Sequence, residues 1–418
     1  MFRLGLSLCI FNIASAQAEA LLDQIDLRQK LQATHEVSDL RQQTQFNPKL
    51  FPNEETHKQL SLDTDAKLPV TRNVSSSARF ALFWDQKEQL KADNEVTTET
   101  DSDALLLEGD LSFHSRYRDK QTRIGRINTN WSQGFNWNVA DILKPNRTQP
   151  SFDDDNLRQQ QGIDMIMTGF RQHDVSYTFI AADVNNDYQQ NNSPYQLAMR
   201  MAYEGDLDVA LIWQKLENSA SNWAFTFSSL LTDSTTFRIE SAYETQRKLP
   251  TIDSLATPNT EFDETGYFKS VMSLQTSMRT WDISVEYLFT EHGYDKQEQN
   301  QWNLKSAFYE QQLNTANAAQ SYQFFGNSSS TLNLGQLNQQ YAYFSYGNLR
   351  SSQLFNWRQS VQINLQDDSQ YHKLELGQKW NSQWESRLQT EWFNGCDKCE
   401  FGRVPSEYTV RLSVYLSL

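Results

Sequence analysis

Arg116, Arg118, Arg126, Arg200, Arg238, Arg358, Arg387 and Arg411, with Glu204, Glu240, Glu244, Glu286 and Glu391, belong to stretches in which polar and apolar residues alternate. Side chains of a strand point to opposite faces with period two, so each stretch has one wet face and one greasy face. Lined up around a water-filled lumen, such charges would select a passing solute by its own charge. Charges that merely solvate a lumen and pair with one another would read the same way. Covalent chemistry is poorly provided for. The histidines are His35, His57, His114, His173, His292 and His372. His114 precedes Ser115, but neighbours on a strand point to opposite faces. No G-x-S-x-G, H-E-x-x-H or phosphate-binding loop occurs. No enzyme, no cofactor and no metal site is expected.

The elements that must position these charges are long strands. Tyr408, Val410, Leu412, Val414, Leu416 and Leu418 alternate with Thr409, Arg411, Ser413, Tyr415 and Ser417 up to the end of the chain. Similar alternation runs through 104–118, 173–183, 196–204, 207–213, 281–289 and 355–365. On 104–118 the apolar face is expected to be Leu105, Leu107, Leu111, Phe113 and Tyr117. Strands of soluble domains average about five or six residues. Many here run longer, reaching the length that crosses a bilayer at a steep tilt.

The remaining composition fits. Arg3, the apolar run Leu4–Ile13 and the small residues Ala14, Ala16 and Ala18 make residues 1–18 a signal peptide. A formal charge of −15 argues against nucleic acid as a partner. A mean hydropathy of −0.69 excludes a helical membrane protein but not a barrel with polar lumen and loops. Residues 19–76 hold Pro48, Pro52 and Pro69 among acids and amides and lack strand alternation. They are expected to form a periplasmic linker, plug or docking arm, with the barrel proper at 77–418. Trp131, Trp302, Tyr341, Tyr343, Trp384 and Trp392 would supply aromatic girdles at strand ends.

Connection lengths test this independently, because outer-membrane barrels have short periplasmic turns and longer external loops. Long connections at 87–103, 132–160, 184–195, 246–266 and 291–300 alternate with short ones at 119–120, 171–172, 205–206, 232–234 and 278–280. The external connection 217–220 is the one short exception. Counting strands at 301–310 and 322–325 gives eighteen with both termini periplasmic; sixteen stays open. The fold class is therefore all-β: a single transmembrane antiparallel barrel of about 16–18 strands.

Cys396 and Cys399 follow in the last external loop. In an oxidising compartment a C-x-x-C pair most simply forms a disulfide. Metal binding would need two more soft ligands nearby. Asp153–Asp155 and Asp183, Asn185 and Asp187 lack the bidentate Glu of a calcium loop and read as acidic turns.

Gly125, Arg126, Trp131, Gly134, Phe135, Asn136, Asp141, Leu143 and Pro145 depart from simple alternation. This pattern resembles one shared by porin-like families, including alginate-export-type barrels and related large uncharacterised barrels. Trp137 and Asn138 stand where those families often have Pro after Asn. The resemblance implies a loop at 132–160 that folds into the pore and constricts it; an ordinary external loop is the alternative.

The sequence thus points to an outer-membrane channel of a Gram-negative cell passing a polar or charged solute. Export of a polysaccharide or amphiphile with periplasmic and inner-membrane partners is an alternative, as is a plugged receptor or scaffold. The expected surroundings are outer-membrane lipid and lipopolysaccharide, reached through the barrel-assembly machinery by way of the C-terminal strand.

Overall fold

A sheet with one greasy face must hide its two edges as well, and closure into a barrel does so. The computed structural model describes residues 25–418 except 41–42, 45–46, 49–53, 91–95, 116, 144–159, 184–194, 206, 218–219, 246, 248, 258–265, 314, 316–317, 333–335, 349–353 and 405. It contains one closed sheet of eighteen strands. These are β1 (Asp26–Leu40), β2 (Glu54–Thr71), β3 (Val74–Leu90), β4 (Val96–Ser115), β5 (Lys120–Ile127), β6 (Ile163–Gln172), β7 (Val175–Asp183), β8 (Tyr195–Glu204) and β9 (Leu207–Leu216). There follow β10 (Ser221–Thr232), β11 (Thr235–Glu244), β12 (Tyr267–Met278), β13 (Trp281–Thr290), β14 (Gln340–Asn348), β15 (Phe355–Asn364), β16 (Gln370–Lys379), β17 (Trp384–Asn394) and β18 (Ser406–Ser417). Each pairs antiparallel with its sequence neighbour, and β1 closes the ring against β18 from Lys30↔Ser417 to Leu40↔Ser406. Long connections gather at one end and short turns at the other. None of the described helices is long and apolar enough to cross a membrane, which says nothing of strands.

The outer face carries the apolar residues of the alternation, among them Leu197, Met201, Leu211, Phe225, Met272, Val285, Phe344 and Leu412, all exposed. Aromatic residues border this belt. Trp281, Tyr346 and Trp357 stack together on the outside near the short-turn end. Trp84, Trp223, Tyr243 and Tyr408 are exposed toward the other end. Trp384 and Trp392 share this outer face, and Trp392 stacks on His372. The other four aromatics expected there lie inside: Trp131, Trp302 and Tyr341 are buried, and Tyr343 meets Trp137.

Three expectations are corrected. Residues 19–76 are not a segment apart from the barrel, because 26–40 and 54–71 are wall strands. Their outward faces, Leu27, Leu31, Ala33, Val37 and Leu60, Leu62, Ala66, Leu68, are interrupted by Gln29, His35, Asp39 and Thr64, which dilutes the alternation. The strands expected at 301–310 and 322–325 are helices, α1 (Lys296–Gln312) and α2 (Ala318–Leu332). Asp295 caps α1 in a reciprocal box with Glu298, and Tyr294, Trp302, Phe324 and Phe325 bury together with Leu249, Ile252 and Leu255 of the β11–β12 connection. Thirdly, most of 87–103 is strand: β2, β3 and β4 run 18, 17 and 20 residues and rise past their neighbours. A bulge at Leu106–Glu108 reverses the facing of β4, so Leu107 points inward and Leu111 and Phe113 outward. The signal-peptide residues lie outside the described part.

Candidate functional site

After β5 the chain turns into the lumen. Gly125, still paired inside β5 two residues before its end, has φ +140, and a Cβ there would collide with the Gly109 carbonyl of β4. Residues 128–143 lie inside the barrel without regular structure. Backbone buried this way needs acceptors for its N–H groups, and two lumenal carboxylates supply them. Glu286 of β13 accepts from the N–H groups of Phe135 (2.8 Å), Asn136 (3.0 Å) and Trp137 (3.2 Å), and from Ser273 Oγ (2.8 Å). Glu240 of β11 accepts from Ser132 Oγ (2.6 Å), from Ala140 N (3.0 Å) and from Gln133 N. The turn between these anchors requires Gly134, where a Cβ would strike the Trp137 carbonyl.

Side chains fix the segment as firmly as its backbone does. Trp131, Trp137, Val139, Ala140, Ile142 and Leu143 bury against Ile180, Ala182, Ala198, Ile212, Ala224 and Ala242. Small residues at alternate inward positions of β7–β11 thus make room for the loop, a signal that the sequence carried. Trp137 reaches the far wall, 6.3 Å from the Tyr341 ring and 6.0 Å from Tyr343 (centroid distances). The segment therefore starts at β5 and touches β14, nine strands away. Phe135 lies under the Arg238 guanidinium at 4.2 Å.

The expected lining residues divide into groups. On the wall that the loop leaves uncovered, charges pair across strands, Arg79 with Asp63, Arg123 with Asp110, Arg358 with Glu375 and Arg411 with Glu36, and along β17, Arg387 with Glu385. Glu391 stands there too, beside Gln389. Glu204 meets Arg171 at the short-turn end, and Glu244 pairs with Lys269. Beside the loop, Arg200 and Arg238 have no carboxylate within ion-pair distance among the described residues. The Arg200 Nε is buried without a hydrogen-bond partner. Arg200 lines a cavity of about 280 Å³ with Gln133, Glu204 and Asp208.

Arg126 is corrected: it shares the outward face of Ile124 and pairs with Asp164 at 2.8 Å. Arg116, the Arg118 side chain and Pro145 lie outside the described residues, as do Asp153–Asp155, Asn185 and Asp187. Asp141 is fully buried at the base of the loop. Cys396 and Cys399 form a disulfide. Among the described residues, no group of His, Cys, Asp and Glu could hold a metal ion. Sequence reasoning placed Glu240 and Glu286 in the lumen but missed their role as loop anchors, since both bond to backbone N–H groups a hundred or more positions away.

No protein-family model matches the chain, and no curated protein matches it in sequence. Solved structures do match. Acinetobacter baumannii OccAB1 aligns with a TM-score of 0.55 at 10% identity, over 94% of this chain and 96% of that one. Pseudomonas aeruginosa OccK7 (OpdD) aligns at 0.54 and 8%, over 94% and 98%. Pseudomonas aeruginosa OpdK with vanillate aligns at 0.51 and 9%, over 94% and 98%. The fold is that of an outer-membrane porin. At these identities the likeness covers the fold alone. The comparisons lend no support to the narrower alginate-export-type resemblance.

Proposed function

We propose that this chain is an outer-membrane diffusion channel for small polar solutes, with a preference for anions. The observation that carries the reading is the segment 128–143, pinned inside an eighteen-stranded barrel by Glu240 and Glu286. A barrel of this size leaves an aqueous lumen unless something fills it. A fixed segment narrows such a lumen to a selective passage. Arg200 and Arg238 flank that segment, whereas the arginines of the opposite wall have carboxylate partners. Glu240 and Glu286 act on Arg238, and Glu204 and Asp208 on Arg200, from beyond ion-pair distance; the loop N–H groups occupy the Glu240 and Glu286 oxygens, which leaves the guanidinium donors for the oxygens of an anionic solute. Vanillate, present with OpdK, is itself an organic anion.

In this reading the long loops face outward and both termini lie in the periplasm. The lipid-facing belt sits among outer-membrane lipid and lipopolysaccharide, and β18 is the strand the assembly machinery recognises. The reversal potential in a salt gradient tests the selectivity. Anion preference supports the reading, and cation preference contradicts it. A plugged receptor is the second reading, favoured by α1 and α2 standing between β13 and β14. Absence of conductance from a folded barrel would select it.

A further inference from the structure

The turn between β17 and β18 joins three bodies that are far apart in sequence. It carries the Cys396–Cys399 disulfide and a single helical turn, α3 (Glu400–Arg403). Phe401 is buried in the same apolar cluster as Trp137 of the constriction segment and lies 6.3 Å from the Tyr371 ring. Arg403 is buried at the other end of α3, over the Trp302 ring of α1 at 5.3 Å and donating to Asn303. At the start of α3, Glu400 is 3% exposed, and its carboxylate is directed at the wall. It accepts from Tyr341 OH (2.5 Å) and Asn364 Nδ2 (2.7 Å) of the wall, and from the N–H of Leu337 (3.1 Å), which lies between α2 and β14.

We propose that this stapled turn is a pH-sensitive latch: in acid it ties the helical cap to the wall and the constriction, and in alkali it loosens. The reading rests on the channel proposed above. Glu400 has no Lys, Arg or His within ion-pair distance among the described residues. The titratable and charged groups facing it are Tyr341 of β14, Asp367 of the β15–β16 connection and Arg403 of its own helix. Asp367 already accepts from the Glu400 N–H at 2.7 Å. A buried carboxylate so placed is costly when ionised, and burial pushes its pKa from 4.5 to about 7. A released turn would return Glu400 to water and to the lower value. Docking is therefore strongest below about 4.5 and is lost progressively as pH rises through about 7. Burial also lowers Arg403 to about 10, so it stays charged throughout this window. The disulfide keeps the turn short, so that release moves Glu400, Phe401 and Arg403 together.

The test is trypsin cleavage at Lys398 and Arg403 in the folded full chain from pH 5 to pH 9, normalised to the denatured chain at each pH, with single-channel recording over the same range. We expect several-fold faster cleavage and more frequent gating above pH 7 than below 5.5. Glu400→Gln, neutral at every pH, should keep the acid behaviour throughout. Glu400→Asp shortens the side chain and keeps the titration, so it should retain a pH response with a weaker closed state. Cleavage and gating that stay flat in the wild type would overturn the latch. So would a Glu400→Gln variant with an unchanged pH response. A chain that conducts and shows flat cleavage would defeat the latch alone; a chain that never conducts would defeat the channel reading.

Discussion

At the scale of single residues, charge placement in the lumen was legible because alternation forces it. Arg200, Arg238, Glu240 and Glu286 face inward wherever Leu197, Phe237, Ile239 and Val285 face out. Arg126 escaped that logic because it lies near a strand end, where the outer face turns polar again and takes the Asp164 pair. The arginines flanking the loop carry a direct prediction. Arg200→Ala with Arg238→Ala should lower the anion-to-cation permeability ratio severalfold, read from reversal potentials, while Arg387→Ala, which belongs to a paired wall, should change it less. Equal effects at the two places would remove the special role of the flanking pair. Gly125 carries another. With φ +140 and the Gly109 carbonyl in the way, Gly125→Ala stores about 1–3 kcal/mol of backbone strain. The expected outcome is a lower urea midpoint for loss of the folded, heat-modifiable band. An unchanged midpoint would mean that β5 and β4 relax freely around the added methyl group.

At the scale of elements, strand length and connection rhythm gave the barrel away, and errors near its start and past β13 cancelled in the count. β1 and β2 hid because Gln29, His35, Asp39 and Thr64 break their apolar faces. The helices hid because aromatic residues in a barrel suggest strands; the Asp295–Glu298 capping box was the readable signal against that. The loop could be recognised from Gly125, Gly134 and the surrounding aromatics, but its anchors could not, since backbone N–H groups leave no mark in a sequence. β1 has a testable role as the closing strand. Deleting residues 25–40 removes the partner of both β2 and β18 and exposes two edges. The truncated chain should fail to give a heat-modifiable band and should be degraded in cells. A folded, conducting truncation would instead make 26–40 a dispensable arm.

At the scale of the whole molecule, the barrel divides into two lumenal halves. Small residues on β7–β11 receive the loop, and paired charges line β15–β18 and β1–β4. In the proposed channel the solute path is the space between the loop and the charged wall, and its width depends on the two carboxylate anchors. Each anchor accepts several hydrogen bonds, worth about 1.5–3 kcal/mol apiece when one partner is charged. Losing both frees the loop without touching the strand ladders. The decisive measurement is single-channel conductance in a planar bilayer of the full chain beside its Glu240→Ala, Glu286→Ala double variant. The wild type should show discrete open steps of uniform size, and the variant larger and noisier ones. Folded barrels that stay silent in both forms, or identical steps in both, would contradict a pore narrowed by residues 128–143.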